Sequence, residues 1–127
     1  MKRIVLVDDD VDFCEATGIL LEAKGYEVVF AHDGREGLEK IRAERPDLVI
    51  LDVMMPEMNG YDVCVVLKED DELSKIPVIL LTGVDQAFFQ TTYTKQMGLM
   101  TEADDYVAKP VGSEELVSRV ESFLNRN

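Results

Sequence analysis

Ile4-Val5-Leu6-Val7-Asp8-Asp9-Asp10 places four apolar residues, three of them β-branched, directly before three carboxylates. An apolar run this short, with no polar residue alternating through it, fits a strand buried on both faces, as central parallel strands are. Four further runs repeat the pattern: Val28–Ala31, Leu48–Leu51, Val78–Leu81 and a weaker Tyr106–Ala108. Between them apolar residues return at helical spacing, first at Phe13, Ala16, Thr17, Leu20 and Leu21, then at Leu38 and Ile41, then at Val63, Val66 and Leu67. Leu116, Val120, Phe123 and Leu124 do the same after the last run. Strand–helix alternation with short connections predicts right-handed crossovers and an α/β fold, a doubly wound sheet of five parallel strands covered on both faces.

Local signals agree with these placements. Asp12 can cap or charge-complement the first helix, Gly25 can stop it, and Asp33-Gly34 turns the chain into the second. Ser113, Glu114 and Glu115 form a start for the last helix. Residues 85–103 carry Phe89, Tyr93 and Met97 at four-residue spacing and read as a further helix, although Thr91, Thr92 and Thr94 have modest helix propensity.

At 127 residues the chain reads as one domain, 1–127, long enough to bury a core without disulfides or a structural metal. The 26 acidic residues outnumber the 13 basic ones and leave a net charge of −13, which argues against direct nucleic-acid binding or attraction to an anionic membrane and favours cations and basic partners, and the four-residue apolar run Ile4–Val7 is too short for membrane insertion. Cys14 and Cys64 lack redox or zinc spacing and read as small buried hydrophobes, and the single histidine, His32, reads as structural or solvent-facing. The four apolar residues at the N-terminus are too few for a signal peptide, so the expected location is the cytoplasm.

In an open α/β sheet, ligands bind beyond the carboxyl ends of the strands. There the chain offers Asp8, Asp9 and Asp10 after the first run, Asp52 after the third, Thr82 and Gly83 after the fourth, and Lys109-Pro110 after the fifth. Gathered carboxylates repel one another unless a cation or a proton intervenes. A hard divalent ion beside lysine and threonine points to phosphoryl chemistry. The acidic run at a helix start would also complement the helix dipole, Asp52 would serve as a turn residue and Lys109 as a solvated lysine; each residue alone leaves both readings open.

As a set, Ile4–Asp10, Leu51-Asp52-Val53-Met54-Met55-Pro56-Glu57-Met58-Asn59-Gly60, Leu81-Thr82-Gly83 and Asp104-Asp105-Tyr106-Val107-Ala108-Lys109-Pro110 resemble the receiver domain of two-component response regulators, over the whole chain. The resemblance implies a flavodoxin-like sheet of strand order 2-1-3-4-5. It implies Asp52 as phosphoacceptor, Asp8 and Asp9 as the acidic metal pair, and Asp52 together with the backbone carbonyl of Met54 as further ligands of Mg²⁺ or Mn²⁺. Thr82 and Lys109 would contact phosphoryl oxygens, Tyr106 would be the aromatic switch residue acting with Thr82, and Lys109-Pro110 would be a cis peptide. No organic cofactor is implied. A histidine kinase or phosphotransfer protein would supply the phosphoryl group, and an unspecified downstream protein would read it. The protein would then be no enzyme beyond its own phosphoryl transfer and dephosphorylation. From Thr82 to Lys109 the chain runs longer than receivers usually do, and Glu102 stands where a glycine is common, which points to a remodelled output region.

Two other classes compete. Asp8-Asp9-Asp10-Val11 is similar to the nucleophile loop of haloacid-dehalogenase-like phosphatases, which would use Asp8, but that reading leaves Asp52 idle and reverses the order of the later motifs. A phosphorylation-independent scaffold would not need the combined acidic, threonine and lysine set. Flavin binding fits the fold class but would set carboxylates against the cofactor phosphate.

Overall fold

The computed structural model describes residues 1–55, 58–82, 103–108 and 112–125, and of Thr82 and Ser113 the backbone alone. In chain order these form β1 (Arg3–Val7), α1 (Val11–Ala23), β2 (Glu27–Ala31), α2 (Gly34–Glu44), β3 (Leu48–Asp52), α3 (Gly60–Glu69), a 3₁₀ turn (Leu73–Lys75), β4 (Val78–Thr82), β5 (Asp105–Ala108) and α4 (Ser113–Leu124). The strands make one five-stranded sheet in the order β2-β1-β3-β4-β5. Every neighbouring pair is parallel. Fold class and strand order are those expected from the sequence. The expected helix over 85–103 and the Lys109-Pro110 bond lie outside the described residues.

The uninterrupted apolar runs follow from a sheet covered on both sides. Val5, Val7, Val49, Leu51, Val78 and Leu80 pack with Ile41, Val63 and Leu67 of α2 and α3. Their alternates Ile4, Leu6, Leu48, Ile50, Ile79 and Leu81 pack with Leu21, Leu116 and Val120 of α1 and α4. Side chains of a strand alternate between faces, so a doubly covered strand has no position left for a polar residue. Burying each large aliphatic side chain contributes about 1.5–3 kcal/mol, and the two half-cores hold the sheet rim where the acidic residues sit.

One local expectation is corrected. In α1 the buried stripe is Cys14, Thr17, Gly18 and Leu21, whereas Ala16 and Leu20 are exposed. The stripe is displaced because the Phe30 ring of β2 lies against Gly18, at 2.5 Å from where a Cβ would stand. The larger side chains are turned to either side of that contact. The N-cap of α1 is Asp10, whose carboxylate accepts the Phe13 N–H at 3.0 Å, while Asp12 supplies charge in the first turn. The last helix, α4, starts at Ser113 as expected, with Gly112 as its N-cap. Gly25 does end α1, at φ 95°, and Asp33 caps α2 through a 2.8 Å bond from the Glu36 N–H. Among the described residues no helix is long and apolar enough to cross a membrane.

Candidate functional site: an acidic rim at the strand ends

Register and parity bring the first and third strand ends together. Val7 pairs with Leu51, so Asp8 and Asp52 stand level, one residue further along. Both continue the even-numbered series, Ile4-Leu6 and Leu48-Ile50, that faces α1 and α4. Asp8 is fully buried and Asp52 is 4% exposed, whereas Asp9 is exposed. One carboxylate oxygen from each of Asp8, Asp9 and Asp52 lies within 4.8 Å of the others. No other cluster of three or more metal-ligating side chains of this kind occurs among the described residues.

The three consecutive aspartates at the start of the chain divide three tasks. Asp8 ends the strand, donating its N–H to the Ala31 carbonyl at 3.0 Å. Its Oδ1 accepts the Asp10 N–H at 2.9 Å, which fixes the carboxylate against the turn. Asp9 projects toward solvent, and Asp10 caps the helix. Dipole complementation is thus the work of Asp10 and Asp12, and Asp8 and Asp9 are left to the cluster.

Beyond Asp52 the chain folds over the rim. The Val53 N–H donates to the Leu81 carbonyl at 2.9 Å, and the Gly60 N–H returns to the Val53 carbonyl at 2.9 Å. Asn59 caps α3 by accepting the Asp62 N–H at 2.9 Å. A Cβ on Gly60 would run into the Asp52 carbonyl oxygen, so α3 can start this close to β3 only with glycine. Met54 follows β3 with a side chain 59% exposed.

The other expected residues stand on the same rim as far as they are described. Thr82 pairs with Ala108 at the ends of β4 and β5, one step beyond the Asp52–Leu81 pair. The Thr82 side chain and the whole of Lys109 lie outside the described residues. Tyr106 is half-buried on β5 and packs against the core on the α2–α3 side. Cys14 and Cys64 are both buried, as expected of small hydrophobes.

His32 was not read from the sequence as part of this site. It is exposed, but its ring Nδ1 donates to the Asp8 carbonyl at 3.1 Å. The Cys14 thiol points at the same oxygen at 3.5 Å. The partner of both is a main-chain atom, so nothing in the residue types announces the contact. The signal that could have found it is positional: His32 directly follows the strand that pairs with the start of the acidic run.

A parallel five-stranded sheet with buried and exposed carboxylates gathered at its carboxyl rim defines a doubly wound α/β domain with an acidic site at the strand ends. Compared with known families, residues 4–121 match the response regulator receiver domain, and the chain belongs to that family. It is 42% identical over 126 residues to the DNA-binding response regulator MtrA of Mycobacterium tuberculosis, covering 99% of this chain and 52% of that protein. It is 38% identical over 126 residues to the alkaline phosphatase synthesis transcriptional regulatory protein PhoP of Bacillus subtilis, covering 99% of this chain and 50% of the relative. The chain spans about half the length of these curated relatives. Among solved structures it is similar to the signal receiver domain of a signal transduction histidine kinase from Syntrophus aciditrophicus, with a TM-score of 0.85, 35% identity, and 98% and 91% of the two chains covered.

Proposed function

We propose that this receiver domain is a phosphorylatable switch in which Asp52 accepts a phosphoryl group with Mg²⁺ or Mn²⁺ held at Asp8 and Asp9. The observation that carries the reading is the convergence of three carboxylate oxygens within 4.8 Å on two strand ends and the following loop. The donor set fits such an ion: Asp8, Asp9 and Asp52 would each offer a hard carboxylate oxygen, the donor type that Mg²⁺ and Mn²⁺ prefer. The backbone carbonyl of Met54 would add a further oxygen. When bound, the ion offsets charge on the transferred phosphoryl oxygens and on the acidic cluster.

The residues of the chain supply the rest. Asp52 ends a buried strand, and the next residue, Val53, is bonded to Leu81 of β4 and to Gly60 at the start of α3, so attack on phosphorus would be a matter of orientation rather than of new chemistry. Lys109 and the Thr82 hydroxyl would hold the phosphoryl oxygens, and the Tyr106 ring would follow the hydroxyl. The donor would be a histidine kinase or phosphotransfer protein. The reader would be a protein surface, or an attached output domain as the names of the DNA-binding relatives suggest. The chain itself would catalyse only its own phosphoryl transfer and loss.

Incubation with acetyl phosphate and Mg²⁺ is expected to add one phosphoryl group by intact mass, and EDTA is expected to abolish it. Asp52→Asn labelled as fully as the wild type removes the assignment. Labelling lost in Asp8→Asn but kept in Asp52→Asn supports the phosphatase chemistry instead, and no labelling of the wild type supports a scaffold.

A further inference from the structure

The peptide group joining Asp8 to Asp9 carries both acidic residues of the pair, and its orientation is set by what binds the Asp8 carbonyl. In a continuing parallel ladder that carbonyl would accept an N–H from the neighbouring strand two residues beyond Ala31, because the Asp8 N–H already donates to Ala31. The ladder cannot continue. Asp33 is the N-cap of α2, and its side chain accepts the Glu36 N–H at 2.8 Å. The Glu36 carboxylate in turn takes the His32 N–H at 2.7 Å. These two bonds close the start of α2, and the β1–β2 ladder ends at the Val7–Ala31 pair, before it reaches the Asp8 carbonyl.

We infer that the His32 imidazole is a positioning residue, which holds the Asp8 carbonyl beyond the last β1–β2 pair and thereby sets the Asp8–Asp9 peptide for cation binding. The Nδ1–H donates at 3.1 Å from the β2 side. The Cys14 thiol reaches the same oxygen from α1 at 3.5 Å and is the weaker donor. Asp8 is also fixed at its carboxylate by the Asp10 N–H, so the imidazole bears chiefly on Asp9, whose side chain is exposed and lies beyond the held peptide. Outer-shell hydrogen bonds of this kind orient ligands without touching the ion, and their removal typically weakens metal binding by about 10–100-fold. The inference rests on the proposed divalent site and adds to it a residue that touches neither ion nor phosphoryl group.

The test is Mn²⁺ binding to the unphosphorylated chain, followed by the spin-resonance signal of free Mn²⁺ at one fixed pH, with Mg²⁺ as competitor. His32→Ala, which leaves the backbone cap of α2 intact, is expected to weaken Mn²⁺ binding about tenfold. His32→Asn places an amide N–H where Nδ1 stands and is expected to recover most of the wild-type affinity. A histidine acting only as a nearby positive charge would give the opposite sign, tighter binding on removal. Equal or tighter binding by His32→Ala, or equal weakening in both variants, overturns the positioning role while leaving the cation site standing. A wild-type chain that binds no Mn²⁺ overturns the divalent site and the role of His32 with it. Circular dichroism of each variant confirms the folded state, and His32→Asn keeps the comparison available if His32→Ala does not fold.

Discussion

Replacing Asp52 by asparagine removes one of three negative charges whose oxygens lie within 4.8 Å of one another. At that limit a pair of like charges costs about 3.5 kcal/mol with an effective dielectric of about 20, and about 1 kcal/mol in water. The pair with Asp8 belongs near the first figure because both groups are buried, and the pair with the exposed Asp9 near the second. The amide is close in shape to the carboxylate but accepts fewer hydrogen bonds, which takes back about 1–2 kcal/mol. Asp52→Asn is therefore expected to stabilise the metal-free chain by about 2.5–3.5 kcal/mol, or roughly 8–12 °C in melting temperature for a domain of this size. Urea unfolding in EDTA reads the first effect, and repetition in Mg²⁺ reads a second. An ion that binds only the folded chain adds about 2.7 kcal/mol at one hundred times its dissociation constant. The wild type is expected to show that gain and Asp52→Asn to lose most of it. A variant less stable than the wild type in EDTA, or one that gains as much from Mg²⁺, would refute the picture of a strained acidic cluster relieved by a cation.

Other consequences follow from named contacts. Gly60→Ala sets a methyl group against the Asp52 carbonyl and is expected to cost about 2 kcal/mol or more in urea unfolding and to weaken Mn²⁺ binding; an unchanged affinity would show that the start of α3 does not hold Asp52. The Thr17 hydroxyl is buried with no hydrogen-bond partner among the described residues, so Thr17→Val should stabilise by about 1 kcal/mol, and a loss of stability would reveal a partner for that hydroxyl. The N–H groups of Leu73 and Glu72 hold the Asp70 carboxyl below its ordinary value of 3.8. Because the folded-state value is depressed, its contribution is present above that ordinary value and is lost as pH falls through the lower folded-state value. The stability difference between wild type and Asp70→Ala should therefore be constant near neutrality and shrink at acid pH; a difference that grows on acidification would contradict the sign.

Much of this architecture is legible before any coordinates because a parallel sheet covered on both faces leaves strong traces. Val5 and Ile4 face opposite layers, yet both must be apolar, so the strands stand out as short unbroken runs. The rim is legible for the same reason: Asp8 and Asp52 are the first polar residues after two such runs. What periodicity cannot supply is rotation within half a turn. The α1 stripe passes through Cys14 and Gly18 because the Phe30 ring occupies the space a side chain on Gly18 would need, and the ring comes from another element. His32 was invisible for a related reason. Its partner is a carbonyl 24 residues away, and the contact forms where the β1–β2 pairing has ended and α2 is about to start.

The most direct measurement is to locate the phosphoryl group on the chain. Brief exposure to acetyl phosphate with Mg²⁺, reduction of the acyl phosphate with borohydride and peptide mapping convert a phosphorylated aspartate into homoserine at its own position. The expected result is homoserine at position 52 alone, absent when EDTA is present. Homoserine at position 8, or at position 52 without any need for a divalent ion, would contradict the assignment of Asp52 as acceptor and of Asp8 and Asp9 as the cation pair.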